Sequence, residues 1–288
     1  MANTTALKRR TQSVKNIRQI TKAMELVAAS KMRRAQEAAL RTRDFRNLAR
    51  QILARLSELT DVSKHPLYAQ RTVKRRLRIL ITSDRGLAGA FNSNLLRLFT
   101  NELKADQAAG IQTSVILVGK QGARIIPRIE GIDVVAAYTN FPDHASANDI
   151  RPILDTVISQ YRDKLTDEVD VTYTDYISSM NQEAKTQTLL PAAVQKVTIP
   201  EQMKEAVVEP SPEVVLEQIT ERLVEVQLQQ AFNESQASEQ SSRMMAMKNA
   251  TDNANGLVDD LTLAFNTARQ AAITQELAEI TGGAEAIK

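Results

Sequence analysis

Residues 76–92 read RLRILITSDRGLAGAFN and combine three signals of an α/β fold. The first part, residues 76–84, carries an apolar run with β-branched residues, which is typical of a strand buried in a sheet. The chain then turns through Gly86 and Gly89, and a leucine-rich helix of about fifteen residues follows. The order of strand, glycine turn and helix predicts the first part of a mostly parallel sheet covered by helices on both faces.

The same alternation continues downstream. Apolar strands are predicted at 113–118, 132–138, 169–178 and near 187–190, with helices at 121–128 and 147–165. The middle of the chain is therefore predicted to be a Rossmann-like α/β domain.

The glycines of this domain do not complete a nucleotide-binding fingerprint. A dinucleotide site needs G-x-G-x-x-G, and Gly86 and Gly89 lack a third glycine. A phosphate loop needs G-x-x-x-x-G-K-[ST], and Gly119-Lys120-Gln121 fails at both ends. Glycines are also needed to bend and pack strand-to-helix turns, and this interpretation is favoured. Asp84-Arg85 is interpreted as a salt-bridged or capping pair. A Rossmann-type enzyme remains an open hypothesis, ranked third.

Little else in the sequence indicates chemistry. There is no cysteine, which excludes disulfides and thiolate metal sites. The two histidines, His65 and His144, have no ligand spacing around them and are predicted to be solvated turn residues. No catalytic constellation, cofactor or metal is expected. No apolar run approaches about 18 residues, so no direct insertion into a bilayer is expected.

The two ends of the chain differ from the middle in their helix breakers. All eight prolines lie between Pro66 and Pro212, and residues 1–65 contain neither proline nor glycine. Long breaker-free ends predict two long helices. The predicted domains are 1–62, an N-terminal coiled-coil helix; 63–211, the Rossmann-like domain; and 212–288, a C-terminal coiled-coil helix.

Both ends carry apolar residues three and four apart, which favours an antiparallel two-helix coiled coil. The N-terminal seam is predicted to run through Val14, Ile17, Met24, Ala28, Ala35, Ala38, Phe45, Ala49, Ile52, Leu56 and Leu59, interrupted by Thr21, Lys31 and Thr42. The C-terminal seam is predicted to run through Ile219, Leu223, Val226, Ala237, Met244, Met247, Ala254, Val258, Leu261, Phe265, Ala268 and Ala272, with Gln230, Asn233, Gln240 and Thr251 on the same line.

The predicted register leaves the C-terminal end without a partner. If residue 57 faces residue 213, residue 4 faces residue 266, and the helix beyond is a lone tip. Between Leu261 and Gln275 the only charged residue is Arg269. A helix with so little charge favours an enclosing surface made by other chains. The alternative is that the N-terminus extends far enough to cover it.

Charge is distributed unevenly along the chain. Residues 1–55 hold fourteen Lys and Arg against three acids, whereas residues 213–288 hold twelve acids and five bases. Arginines at 41, 43, 46, 50 and 55 are expected to compensate the glutamates at 213, 217, 221 and 225 across the helix pair. A coiled-coil scaffold or nucleic-acid-binding adaptor with a globular head is the alternative. The aromatic residues expected of a single-strand binder are scarce, so no nucleic acid is expected as a partner.

Four segments resemble the gamma subunits of bacterial F-type ATP synthases, and the resemblance extends over essentially the whole chain. They are Ile17–Met32 (IRQITKAMELVAASKM), Ser83–Asn92 (SDRGLAGAFN), Ala237–Asn253 with its ASEQ, RM and MKNATDN blocks, and Ala268–Ile280 (ARQAAITQELAEI). Many members of that family have cysteine where Ala88 stands, so no role of that thiol is carried over. Because the resemblance begins inside the first helix, no transit peptide is expected.

This resemblance implies a central rotor shaft, with no catalytic site of its own, at the cytoplasmic face of the bacterial plasma membrane. In the family, the terminal helices pass through a ring of alpha and beta subunits. The globular domain forms a foot with the epsilon subunit on the membrane c-ring. The shaft thereby couples ion flow to conformational change in the catalytic ring during ATP synthesis or hydrolysis.

The resemblance also assigns contact residues one by one. Contacts with the catalytic ring are implied near the tip for Arg269, Gln270, Thr274 and Glu276, and lower on the shaft for Met24 and Arg243. Glu209, in Glu209-Pro210-Ser211-Pro212, is implied as a foot residue near the membrane ring.

Overall fold

The computed structural model describes the backbone of residues 2–142, 145–193, 199–201 and 208–286, and their side chains except those of 2–3, 42–46 and 283–286. The helices are α1 (Ala2–Leu59), α2 (Phe91–Ala108), α3 (Lys120–Ile125), α4 (Ala147–Arg162) and α5 (Pro212–Ala286). The strands are β1 (Arg75–Ile81), β2 (Gln112–Val118), β3 (Asp133–Tyr138), β4 (Glu168–Tyr176) and β5 (Gln182–Leu190). Short 3-10 turns lie at Val62–Lys64, Pro66–Tyr68 and Ile126–Arg128.

Contacts divide the chain into two units. Unit 1 consists of Met1–Ala28 with Arg243–Lys288, and unit 2 consists of Ala29–Ser242. The domain boundaries at 62 and 212 follow the sequence segments instead, and they stay a prediction.

Unit 2 contains a five-stranded sheet in the order β3-β2-β1-β4-β5. The first four strands are parallel, with Ile79 of β1 opposite Ile116 of β2 and Val171 of β4, while β5 runs antiparallel to β4. The predicted α/β class and mostly parallel sheet are confirmed. The edge strand β5 starts five residues earlier than predicted, at Gln182, because its first residues are polar and give no apolar signal.

Helices cover both faces of the sheet. On one face, α2 and the turn after α3 pack through Leu95, Phe99 and Ile126 against Leu80 and Leu117. On the other face, α4 and the adjoining parts of α1 and α5 form a larger core whose members include Leu53, Leu56, Ile153, Val157, Leu223, Leu228 and Phe232. Strands covered on both faces explain the nearly continuous apolar runs of β1 and β2.

A buried ion network lies on the α2 face of the sheet. The Asp106 carboxylate on α2 accepts hydrogen bonds from Arg76, from Arg78 Nε (2.7 Å) and from Thr113 Oγ1 (3.1 Å). Arg78 also donates to Glu102 (2.9 Å) and is 4% exposed, while Asp106 is 2% exposed. Buried charges persist only when they are paired and hydrogen-bonded, and each of these groups has such partners.

The first turns of α5 pair with α4 as well as with α1. Glu217 and Glu221 both accept hydrogen bonds from Arg162 of α4, at 2.7 and 2.8 Å. Glu213 accepts one from Thr60, the residue that follows α1. Arg55, expected to compensate these glutamates, donates to Glu58 on its own helix. The expected compensation therefore comes in part from α4, because that helix packs on the same side of the sheet.

In unit 1, α1 and α5 run antiparallel, as predicted. Arg18 donates to Asn255, and Thr251 donates to Thr21 at 2.8 Å. The partners' numbers add to 273 and 272, so α5 sits two or three residues further along than the predicted register. Thr21 was predicted to interrupt the apolar seam and Thr251 to lie on its line; both are buried in the seam and bond to one another.

No helix in the described part of the chain is both long enough and apolar enough to cross a membrane.

Candidate functional site

The carboxyl edge of the parallel strands is the usual ligand-binding place of this fold class. Asp84 follows β1 at this edge, and its carboxylate accepts hydrogen bonds from the backbone amides of Lys120 (3.0 Å), Asn140 (3.0 Å) and Phe141 (2.8 Å). Because Lys120 begins α3, Asp84 places a negative charge at a helix N-terminus, where such charge is favoured. The predicted capping role is confirmed, and amides that a phosphate would need are bound by the chain's own carboxylate.

Gly119 at this edge serves packing. It has φ +91°, and a Cβ there would lie 2.1 Å from the Thr82 carbonyl oxygen. Thr82 Oγ1 in turn accepts from the Gly122 amide at 2.9 Å and donates to the Val118 carbonyl at 2.9 Å. Only glycine fits such a close backbone approach, so the interpretation of this glycine as a packing residue is confirmed.

Phe141 connects the carboxyl edge to α5. Its ring stacks on Phe232 of α5, with centroids 4.8 Å apart and planes 12° apart. The amide of the same residue donates to Asp84, so one short loop links β1, β3 and α5 within unit 2.

His65 was predicted to be solvated, and this prediction is wrong. The side chain is half-buried between the two 3-10 turns, where Nδ1 accepts from the Leu67 amide at 3.3 Å. Burial, the largest cause, lowers the pKa of His65, and nearby Arg162 lowers it further against the opposing effect of Glu217. His144 lies outside the described residues. Within the described residues, no three His, Asp or Glu side chains are grouped as a metal ion would require.

A stripe of apolar residues lies on α1 in unit 1, and we call it the α1 stripe: Ile17, Ile20, Met24 and Val27. Three of them are more than half exposed, and Met24 is half-buried. Ile17 was predicted to lie in the seam, which is wrong. The seam instead follows buried and half-buried residues at 4, 7, 11, 14, 18, 21, 25 and 28. The α1 stripe has the same helical period but is displaced from the seam by one residue, so it flanks the seam about 100° around the helix.

The end of α5 carries a second surface, the tip face: Arg269, Gln270, Ile273, Thr274, Glu276, Leu277 and Ile280. All seven are exposed. Spacings of four and seven residues bring Arg269, Ile273, Glu276 and Ile280 to one side of the helix. Two of the four predicted contact residues, Arg269 and Glu276, therefore alternate with the apolar Ile273 and Ile280.

The lone tip was predicted to begin beyond residue 266. The seam residues Phe265, Ala268 and Ala272 are nevertheless half-buried, and continuous exposure begins at Ile273. The cover extends further than predicted because α1 begins as early as Ala2 and the register is shifted. The alternative that the N-terminus covers the tip is thus confirmed as far as Ala272, and enclosure of the remainder by other chains stays a prediction.

The other predicted contact residues lie in different surroundings. Arg243 is 7% exposed and engages other groups of the chain, so it offers little surface in this structure. Glu209 is exposed in the segment that precedes α5. Among the predicted contact residues, the structure brings together the four of the tip face. Met24, Arg243 and Glu209 are distant from them in sequence and lie in different surroundings.

Comparison with known proteins decides the family. A family model described as ATP synthase matches residues 3–287. The "ATP synthase gamma chain" of Cupriavidus metallidurans is 40% identical over 292 residues and that of Moorella thermoacetica 38% identical over 291, each covering 100% of both chains. The chain belongs to the ATP synthase gamma-chain family.

Solved structures share the gamma-chain fold. A chain of the Euglena gracilis mitochondrial ATP synthase, in a structure titled OSCP/F1/c-ring, aligns with a TM-score of 0.68 at 19% identity, covering 99% of this chain and 95% of that one. A chain from the central stalk and c-ring of the Tetrahymena thermophila mitochondrial enzyme aligns with a TM-score of 0.59 at 24% identity, covering 80% and 99%. At these identities the likeness establishes the fold.

In this gamma-family chain, sequence reasoning missed part of the exposed surface. Ile20 and Val27 on α1, and Leu277 and Ile280 on α5, were not singled out, although they are exposed next to residues that were. Their signal was present as apolar residues three and four apart, offset from the seam. When two apolar stripes on one helix have the same period, the sequence alone does not show which of them packs against the partner helix.

Proposed function

We propose that this chain is the central rotor shaft of a bacterial F-type ATP synthase, turning within a ring of alpha and beta subunits. The single observation that carries the proposal is membership of the gamma-chain family over the full length of the chain. The α1 stripe and the tip face support it, because apolar surface left exposed on long helices favours enclosure by other chains.

The shaft would act by making different contacts with different states of the catalytic subunits. A rotor that binds open and closed states unequally shifts their populations as it turns. No nucleotide site of its own is needed for this role. The internal use of the carboxyl edge by Asp84 is consistent with a non-catalytic subunit.

The tip face supplies the proposed contact with the top of the ring. Arg269, Gln270, Thr274 and Glu276 are exposed there among small and apolar neighbours. Such a surface gives weak, non-directional contacts with few charges, which suits a part that turns against a sleeve. Met24 of the α1 stripe and Arg243 are proposed to act lower on the shaft, near the moving parts of the catalytic subunits.

Residues 63–211 are proposed to form the foot of the stalk, with the epsilon subunit and the membrane c-ring as partners and Glu209 near that ring. This places the chain at the cytoplasmic face of the bacterial plasma membrane as a peripheral subunit, with no direct contact with nucleic acid.

Co-expression with alpha and beta subunits tests the proposal. We expect the chain to co-elute with the ring on size exclusion at fewer copies than alpha or beta, and to make ATP hydrolysis sustained. A ring that forms and elutes without the chain would contradict the proposal.

Substitution at the tip face tests the contact residues. Arg269→Ala is expected to lower ATP turnover of the purified, fully assembled complex, because a rotor contact is weakened. Lys248→Ala is the matched control, since Lys248 is an exposed cation on the same helix outside the tip face. Equal turnover of the wild type and the Arg269 variant would contradict the assignment.

A further inference from the structure

A buried polar cluster that no part of the proposed function uses lies in unit 2, between α5 and the β4–β5 pair. Glu234 of α5 is 7% exposed, and its Oε1 accepts a hydrogen bond from Gln230 at 2.5 Å. Its other oxygen, Oε2, is buried without a hydrogen-bond donor among the described residues. A buried carboxylate oxygen without a donor is costly, so this atom needs an explanation.

The group that faces Glu234 is another carboxyl. Asp175 of β4 is within hydrogen-bonding reach of Glu234 and carries a salt bridge to Lys185 of β5 at 2.5 Å. Lys185 also lies 5.1 Å from the centre of the Tyr173 ring. The lysine is therefore engaged with Asp175, and one cation serves two acidic side chains. Two neighbouring ionised carboxylates repel each other. A protonated carboxyl group beside a carboxylate instead donates a hydrogen bond to it.

We propose that Glu234 is a buried proton-binding site. Its carboxylate takes up a proton from solvent, and the resulting carboxyl group donates a hydrogen bond to the Asp175 carboxylate. This hydrogen bond holds α5 to β4. The proton converts Glu234 Oε2 from an unsatisfied acceptor into a donor, which resolves the unpaired atom with groups already present. Ser238, one helical turn further along α5, donates to the Thr174 carbonyl at 3.2 Å and fixes the same contact.

Electrostatics agree with this geometry. Burial, the largest cause, raises the pKa of Glu234; the Gln230 hydrogen bond lowers it, Asp175 raises it and Lys185 lowers it. The charged groups acting on Glu234 are thus Asp175 from β4 and Lys185 from β5. Release of the proton leaves the buried Glu234 carboxylate and the partly exposed Asp175 carboxylate beside one lysine, and we expect α5 to loosen from the β4–β5 pair. The inference does not depend on the proposed rotor function.

The test is a pH titration of the full chain, with its glutamate side-chain carboxyls labelled with ¹³C and observed by NMR. The signal that disappears in Glu234→Gln is assigned to Glu234, and Glu279→Gln, an exposed glutamate on the same helix, supplies the reference signal. We expect the Glu234 midpoint to lie clearly above that of Glu279. A Glu234 midpoint equal to or below that of Glu279 would overturn the proposal.

Two further variants separate the shared proton from simple burial. Asp175→Asn is expected to lower the Glu234 midpoint, since it removes the facing negative charge, and Lys185→Gln is expected to raise it. Should neither substitution move the midpoint, the carboxyl pair is not coupled and the proposal fails. Hydrogen exchange of the β5 amides gives a second readout. At alkaline pH the exchange should be slower in Glu234→Gln than in the wild type at the same pH. Equal exchange rates would contradict the proposal that the proton on Glu234 holds α5 to the sheet.

Discussion

In unit 2, Leu80, Phe99 and Ile116 are completely buried, whereas in unit 1 Leu263 and Ile280 are 69% and 68% exposed. Unit 2 also neutralises its own buried charges, through Asp106 and its arginines. Unit 1 joins its helices by a narrow seam of small and half-buried residues. The difference indicates that unit 2 is stabilised by its own interior, while unit 1 presents apolar surface that other chains are expected to cover.

The largest expected effect concerns the buried charges of unit 2. Asp106→Asn removes the charge that the half-buried Arg76 and the buried Arg78 share, and it weakens the charged hydrogen bond that each arginine donates to this carboxylate. Each of these charged hydrogen bonds contributes about 1.5–3 kcal/mol, so we expect a loss of about 3–5 kcal/mol in the free energy of unfolding, measured by urea denaturation. Asp155→Asn, on the exposed side of α4, is the control. Similar losses in both variants would show that the network does not stabilise unit 2.

A matched pair of leucines tests the comparison of the interiors directly. Leu117→Ala in unit 2 removes a side chain that is 0% exposed, and it should lower the free energy of unfolding of the isolated chain by about 2–5 kcal/mol. Leu263→Ala in unit 1 removes a side chain that is 69% exposed, and it should change this free energy by less than about 0.5 kcal/mol. If Leu263→Ala costs as much as Leu117→Ala, the surface of unit 1 is already covered within the chain.

The seam of unit 1 is expected to show a smaller, coupled effect. Thr21→Val and Thr251→Val each remove the hydrogen bond between the two buried hydroxyls, and each should cost about 1 kcal/mol of stability. The double variant should cost less than the two single losses together, because the one hydrogen bond between the hydroxyls is lost in either single variant. A double-mutant cycle measured by chemical denaturation gives the coupling. Strict additivity would show that the two threonines do not stabilise the seam through their hydrogen bond.

The smallest expected effect is a pH dependence at the junction of α1 with the sheet. Because burial lowers the folded-state pKa of His65 below 6.5, the unfolded chain takes up this proton first as the pH falls. The contribution of neutral His65 to stability is therefore full above its unfolded pKa and is lost as the pH falls below it. His65→Asn keeps a neutral acceptor for the Leu67 amide, so the stability difference between the variant and the wild type should change with pH only in this acidic range. A difference that stays constant down to pH 5 would contradict the assignment.

The apolar run of residues 76–84 made β1 and the parallel sheet predictable, and the absence of breakers made the two long helices predictable. The polar half of β5 was missed, since an edge strand has little apolar surface to reveal it. The ion network was also missed, because Arg78 and Asp106 are 28 residues apart and meet only after α2 has packed.

Of the candidate surfaces, too, one part was predicted from the sequence and another part was missed. The tip residues could be named because the Ala268–Ile280 segment resembles a known family, and their exposure follows from the end of the helix pair. Ile17 was placed in the seam because its period is correct, and the pairings of Thr21 with Thr251 and of Arg18 with Asn255 show which stripe meets α5. The burial of Arg243 was likewise missed, since a charged side chain gives no signal of burial in the sequence.

The central claim is that this chain turns inside a ring of other subunits. Because the chain contains no cysteine, an Asn101→Cys variant offers one exposed attachment point on α2 of unit 2. A bead or fluorophore on this residue would be followed in single complexes whose alpha and beta subunits are immobilised and lack reactive cysteines. We expect the probe to rotate in one direction while ATP is hydrolysed. A probe that stays fixed relative to a hydrolysing ring would contradict the account.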